Sequence, residues 1–302
     1  MIRIPPYLKP GDTIGIVCPA GFMNPEKTLT CINVLQDWGY KVKEGRTLES
    51  NSENYFSGTD EERLEDLQSM LDDNSVNAIL CARGGYGTSR IIDMLSFRKF
   101  KKNPKWIIGF SDITVLHAHI NRNLHIATLH APMVAAFNDD GYKNEYVLSL
   151  KNAIEGKNNI YHSVPHIFNN MGSARGELIG GNLALVVHVI GTSSAFKTKG
   201  RILFLEDLGE LLYSIDRMFV QLKRSGNLDH LAGLIIGGFS NMKDTDRPFG
   251  KTINELIHDH VKDYKYPVCF GFPVSHDKEN YALKIGVDHE LKVGKNKVTL
   301  KE

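Results

Sequence analysis

Three polar residues, each closing an apolar run, hold the chemistry on offer. Ser111 follows Trp106-Ile107-Ile108-Gly109-Phe110, Glu206 follows Ile202-Leu203-Phe204-Leu205, and His276 follows Cys269-Phe270-Gly271-Phe272-Pro273-Val274-Ser275. Short apolar runs of this kind read as buried strands, so each residue would stand at a sheet edge. A serine hydroxyl becomes a nucleophile when a base takes its proton, and that base needs a carboxylate to fix its tautomer. Serine, histidine and glutamate match those three roles. A helix begins directly after Ser111, and its first N–H groups could face a developing oxyanion. Each residue also has an ordinary structural role: Ser111 or Asp112 as a helix cap, Glu206 as a cap or surface ion pair beside Asp207, and His276 as a cap or core residue.

A second feature is Arg83-Gly84-Gly85-Tyr86-Gly87, directly after Ala78-Ile79-Leu80-Cys81. Glycines there let backbone N–H groups approach a ligand, as in an oxyanion hole or anion nest, although a plain tight turn is equally compatible. Its GGxG spacing is not the GxGxxG of a dinucleotide site. Gly250-Lys251-Thr252 ends like a P-loop, but Thr245 stands where the first glycine is required. His117/His119 and His258/His260 are spaced i,i+2, which sends them to different helix faces, so no dedicated metal site is expected. Lys99, Lys101, Lys102 and Lys105 read as a solvated face.

These residues need a scaffold, and the first half supplies one by alternation. Strands are expected at Thr13–Ala20, Lys41–Glu44, Ala78–Arg83 and Lys105–Phe110, with helices at Pro25–Trp38, from Thr59 to about Leu71, and at Gly87–Leu95. Thr59 and Glu62 form a capping box. Such βα alternation predicts a parallel sheet with helices on both faces. The polar stretch Lys157–Arg175 reads as a linker between domains at 1–156 and 176–302. Beyond it, strands are expected at Gly176–Ile179, Arg201–Leu205, Leu231–Ile236, Val268–Phe272 and Lys284–Val287, with a closing pair around Gly294-Lys295-Asn296. Helices are expected at Leu183–Ile190, Ser214–Lys223 and Thr252–Val261.

The 302 residues suffice for two modest domains, and 42% hydrophobic with 24% charged residues is ordinary for a globular protein. A net charge of +1 gives no reason to expect nucleic acid or an anionic membrane as partner. Cys18, Cys31, Cys81 and Cys269 are scattered without a CxxC pair and read as buried thiols in a reducing compartment. The first twelve residues lack a signal-peptide pattern, and no run of about 18 apolar residues suggests a membrane span, so the cytoplasm is expected.

Taken in order, Pro10-Gly11-Asp12, Arg83-Gly84-Gly85-Tyr86-Gly87, Gly109-Phe110-Ser111-Asp112, Gly180-Gly181-Asn182-Leu183, Leu205-Glu206-Asp207 and Phe272-Pro273-Val274-Ser275-His276 resemble the LD-carboxypeptidase family. These are serine peptidases of the muramoyltetrapeptide carboxypeptidase type, and microcin-immunity peptidases belong with them. The resemblance implies an α/β protein: a flavodoxin- or Rossmann-like parallel-sheet N-terminal domain, a β-rich C-terminal domain, and an active site in the interdomain cleft. It implies Ser111 as nucleophile, His276 as general base then acid, Glu206 as orienting carboxylate, and the N–H groups of Gly85 and Asp112 as the oxyanion hole. Arg83, Gly84 and Asn182 would border the substrate. The implied reaction removes terminal D-alanine from peptidoglycan-derived tetrapeptides carrying meso-diaminopimelate or lysine third, without metal or organic cofactor. The implied partners are that small peptide and a second copy of the chain, as a homodimer. Ser275 stands where the family often has glycine, and Lys284-Ile285-Gly286 where it often has Pro-x-Gly. Both bear on the shape and charge of the substrate pocket.

Three rival readings remain at this level. A peptidase or amidase of the same family would cut a peptidyl-nucleotide antibiotic and confer immunity. An α/β-hydrolase esterase shares the order Ser, acid, His, but its GxSxG elbow needs glycine where Ile113 stands. A ligand-binding protein without catalysis would have no need of Ser111, Glu206 and His276 together.

Overall fold

The computed structural model describes residues 2–50 and 52–302. The chain forms two compact units, Met1–Lys157 with Tyr281–Lys284, and Asn158–Asn280 with Ile285–Glu302.

The first unit alternates strand and helix: β1 Thr13–Val17, α1 Leu29–Asp37, β2 Lys41–Glu44, α2 Asp60–Asp72, β3 Val76–Cys81, the short α3 Thr88–Ile91 and α4 Arg98–Lys102, β4 Trp106–Gly109, α5 Thr114–Leu124, β5 Thr128–His130 and α6 Glu145–Ile154. Local grammar explains several boundaries. Thr59 accepts a hydrogen bond from Glu62 N while Glu62 answers at the Thr59 N–H, closing the expected capping box of α2. α1 turns Cys31, Ile32, Val34 and Leu35 inward, and Gly39, at φ 92°, ends it. The stretch before α1, Pro25–Thr28, is a 3-10 turn instead of the expected first turn of the helix. Proline there lacks the donor and presets φ for such a start.

β2, β1, β3, β4 and β5 lie side by side in that order, each adjacent pair parallel. This is the flavodoxin-like order, in which ligands collect outside the carboxyl ends of the strands. A later strand, β11 Leu283–Ile285, adds to the sheet beside β5. Its approach is anchored by Ala282 N donating to Ser149 Oγ at 2.9 Å and Tyr281 Oη donating to Glu145 at 2.5 Å. The strand expected at Lys284–Val287 among those of the second half thus joins the first sheet instead, since nothing local in a sequence marks a strand's destination.

The second unit contains β6 Ile160–Ser163, β7 Gly172–Asn182, α7 Leu183–His188, β8 Ile202–Leu208, α8 Leu212–Arg224, β9 Gly233–Ser240, α9 Ile253–Val261, β10 Val268–Cys269, β12 Asp288–Val293 and β13 Val298–Lys301. Its seven-stranded sheet runs β10-β9-β8-β7-β12-β13-β6. The β7–β10 half is parallel, and the β7–β12–β13–β6 half antiparallel. The stretch read as a linker thus carries a strand of its own, β6, paired with β13. It hides from periodicity because it is a four-residue edge strand with only Tyr161 buried.

Candidate active site

In the first unit, three loops meet at the carboxyl ends of β1, β3 and β4. Gly21 N donates to Gly84 O at 3.0 Å, joining the loop after β1 to the Arg83–Gly87 turn after β3. The fully buried Arg63 of α2 reinforces this, giving Nη1 to Pro19 O at 2.7 Å and to Gly87 O at 3.1 Å.

Ser111 occupies the sharp corner after β4. Its φ is 64°, a left-handed conformation that costs a non-glycine residue about 1–3 kcal/mol and turns up most often at functional sites. A 3-10 turn, Ser111–Ile113, precedes α5, so the helix opens a turn later than expected. Gly109 makes the corner possible: a Cβ there would meet Ile113 at 3.0 Å and Cys81 at 3.2 Å. Its carbonyl accepts from His117 Nε2 at 2.8 Å, and burial lowers the His117 pKa to about 4, so that ring is neutral.

The glycine turn packs directly on the serine. A Cβ on Gly84 would lie 2.8 Å from Ser111 Cβ and 3.2 Å from Asp112 N. Gly85, at φ 95°, is exposed, and its N–H donates to no described residue. Arg83 is exposed too, with Nη1 donating to Phe22 O at 2.6 Å. Asp112 is fully buried and accepts from Thr88 N at 2.8 Å, fastening the serine corner to the start of α3. Burial pushes its pKa up against the pull of the Thr88 bonds and Arg63.

In the second unit, the carboxyl end of β8 presents Glu206. Its Oε2 lies 2.6 Å from His276 Nδ1, with the Glu206 side chain wholly buried and that of His276 12% exposed. Burial by itself would lower the His276 pKa. The hydrogen bond and charge of Glu206, with Asp207 and Asp277, outweigh it and raise the pKa above the ordinary value. Glu206 and His276, picked out 70 residues apart in sequence, are therefore one hydrogen-bonded pair.

Two features went unread in the sequence. Register shifts between Leu205 and Asp207, so that Leu205 pairs with Ile236 but Asp207 with Phe239, and Gly237 and Gly238 together oppose Glu206. A bulge of this kind re-aims a side chain at a strand end. It also explains the two glycines: a Cβ on Gly237 would sit 2.2 Å from Val274 O, and one on Gly238 2.5 Å from Ser275 Cβ. Gly238 N in turn holds Val274 O at 2.9 Å, fixing the segment that presents His276. A Gly-Gly pair inside an apolar run was the available signal.

The other feature is Asp207. It is buried and accepts from Asn182 Nδ2 and Leu208 N at 2.8 Å and from Ala184 N at 3.0 Å, and burial raises its pKa to about 6. Asn182 caps α7 through Leu185 N at 3.2 Å, so this side chain helps hold the end of β7 to the end of β8.

Comparison with known proteins agrees with this architecture. Residues 14–131 match the model of the LD-carboxypeptidase N-terminal domain and residues 175–291 that of its C-terminal domain. A probable murein peptide carboxypeptidase of Bacillus subtilis is 36% identical over 93% of this chain and 89% of its own length. The Microcin C7 self-immunity protein MccF of Escherichia coli is 24% identical over 97% and 94%. The crystal structure of muramoyltetrapeptide carboxypeptidase from Oxalobacter formigenes superposes with a TM-score of 0.87 at 27% identity, covering 96% of this chain and 98% of that one. The chain belongs to the LD-carboxypeptidase family and is a hydrolytic peptidase.

Proposed function

We propose that this protein is a serine LD-carboxypeptidase that removes the terminal D-alanine from peptidoglycan-derived tetrapeptides. Ser111 attacks the carbonyl joining the third residue to D-alanine, and His276 takes the serine proton and returns it to the leaving amine. Glu206 holds the imidazole, while the N–H groups of Gly85 and Asp112 receive the oxyanion. Arg83, Gly84 and Asn182 border the substrate.

One observation carries the reading: the buried 2.6 Å bond between Glu206 and His276 Nδ1. A neutral ring that donates from Nδ1 keeps Nε2 as its proton acceptor, the tautomer a general base needs. The left-handed Ser111 corner against Gly84 supports the nucleophile role. A cytoplasmic location fits the four buried free cysteines. Among the described residues, no helix is long and apolar enough to cross a membrane. A homodimer fits the exposed Ile160, Val164, Ile167 and Met171, apolar side chains close together in sequence.

The deciding experiment is mass spectrometry of L-Ala-γ-D-Glu-meso-diaminopimelate-D-Ala after incubation with the protein, with Ser111→Ala as control. Loss of one alanine with the wild type alone is expected. An intact tetrapeptide would turn the reading toward a peptidyl-nucleotide substrate, in keeping with the similarity to MccF.

A further inference from the structure

Tyr55 and Ser111 stand against consecutive glycines of one turn. A Cβ on Gly84 would lie 3.0 Å from Ser111 Oγ, and one on Gly85 would lie 2.9 Å from Tyr55 Oη. The two hydroxyls thus flank the peptide unit that carries the Gly85 N–H. Position 85 must stay free of a side chain both for its φ of 95° and for the Tyr55 hydroxyl.

Tyr55 is 59% exposed, yet its backbone is pinned. The Tyr55 carbonyl accepts from Phe22 N at 3.0 Å, and Phe56 bridges antiparallel to Gly21. Its ring meets Phe56 edge-on at 5.3 Å and 84°, and the guanidinium groups of Arg63 and Arg90 cover the Phe56 ring at 4.8 and 5.6 Å. The hydroxyl bonds to no described residue, so nothing within the fold uses it. Tyr55 also lines a surface groove of about 1030 Å³ with Arg46, Phe56, Thr59 and Arg90.

We propose that Tyr55 is a further catalytic residue, its Oη donating a hydrogen bond to the scissile carbonyl oxygen as negative charge develops there. This rests on the carboxypeptidase reading above. The proton stays on the phenol throughout, and the hydroxyl acts only as a hydrogen-bond donor. Such a donor acts on the transition state more than on bound substrate, so it appears in kcat.

The test compares wild type and Tyr55→Phe on the same tetrapeptide, with kcat, KM and melting temperature measured together. The expected result is a fall in kcat of about ten- to a hundredfold, with KM within about twofold. The melting temperature should be unchanged, since the hydroxyl has no partner in the fold. Unchanged kcat, whatever happens to KM, would overturn the inference. A loss of activity matched by a lowered melting temperature would assign Tyr55 to the fold and overturn it as well. A wild-type protein that leaves the tetrapeptide whole would remove the carboxypeptidase reading first, and this inference with it.

Discussion

Replacing Glu206 with glutamine tests the pair at the end of β8 with little change in shape. The side chain is wholly buried and stands 2.6 Å from His276 Nδ1. Glutamine keeps the volume and removes the charge. An amide that turns its NH2 toward the ring holds the wrong tautomer, with Nε2 protonated and unable to act as base. Changing a triad carboxylate to an amide costs about 10⁴-fold in kcat in the best-studied case, so about 10³- to 10⁴-fold is expected here. That corresponds to about 4–5.5 kcal/mol at 1.36 kcal/mol per decade. KM should change little.

The imidazole should report the same loss directly. With Glu206 present, His276 titrates above its ordinary value; without that charge, burial dominates and its pKa should drop. NMR titration of isotope-labelled histidine in a Ser111→Ala background measures this without turnover. Stability follows with a definite sign. A histidine whose folded pKa is raised stabilises fully below its unfolded pKa, and that contribution disappears as pH rises through the folded value. Glu206→Gln should therefore lower the melting temperature most near about pH 5, the gap narrowing as pH rises. Identical His276 titration in both proteins, or kcat within about threefold of wild type, would refute the reasoning.

Ser111→Ala and His276→Ala should each lower kcat by several orders of magnitude, with the double variant hardly worse, because a triad acts as a unit; additive losses in steady-state kinetics would argue against it. Gly237→Ala places a Cβ 2.2 Å from Val274 O and 3.2 Å from Glu206 Cβ, so thermal denaturation should show a loss of about 1–3 kcal/mol, with kcat reduced as the His276 segment shifts. Asp112→Ala leaves Thr88 N without its partner and should cost about 1–3 kcal/mol, whereas Asp112→Asn keeps an acceptor and should be milder; equal melting temperatures for the two would mean that this bond does not hold the corner.

Where residues speak locally, the sequence was readable. The α2 capping box, β2 at Lys41–Glu44 and the hairpin around Gly294–Asn296 each follow from a few neighbouring side chains. Ser111, Glu206 and His276 stood out because each ends an apolar run, and the Glu206–His276 bond is formed as such residues would form it. Features that depend on a distant strand were not readable. β5 is three buried residues without alternation, and β11 declares its sheet only through contacts with residues far earlier in the chain. The bulge at Glu206 is a relation between two strands, so Gly237 and Gly238 acquire meaning only when β8 lies beside β9. Asp207 was passed over as a neighbour of Glu206, since adjacent strand residues ordinarily point to opposite faces.

The return of Tyr281–Lys284 to the first unit bears on the order in which the protein can be made. On the ribosome, residues 1–157 emerge long before the strand that sits beside β5, so until then β5 has an open edge able to pair with another chain. Synthesis must run through β11 before the first sheet is complete. A fragment ending at Lys157 would keep the Ser111 corner and lack an edge strand, making it a poor candidate for separate expression and a site where nascent chains could associate wrongly.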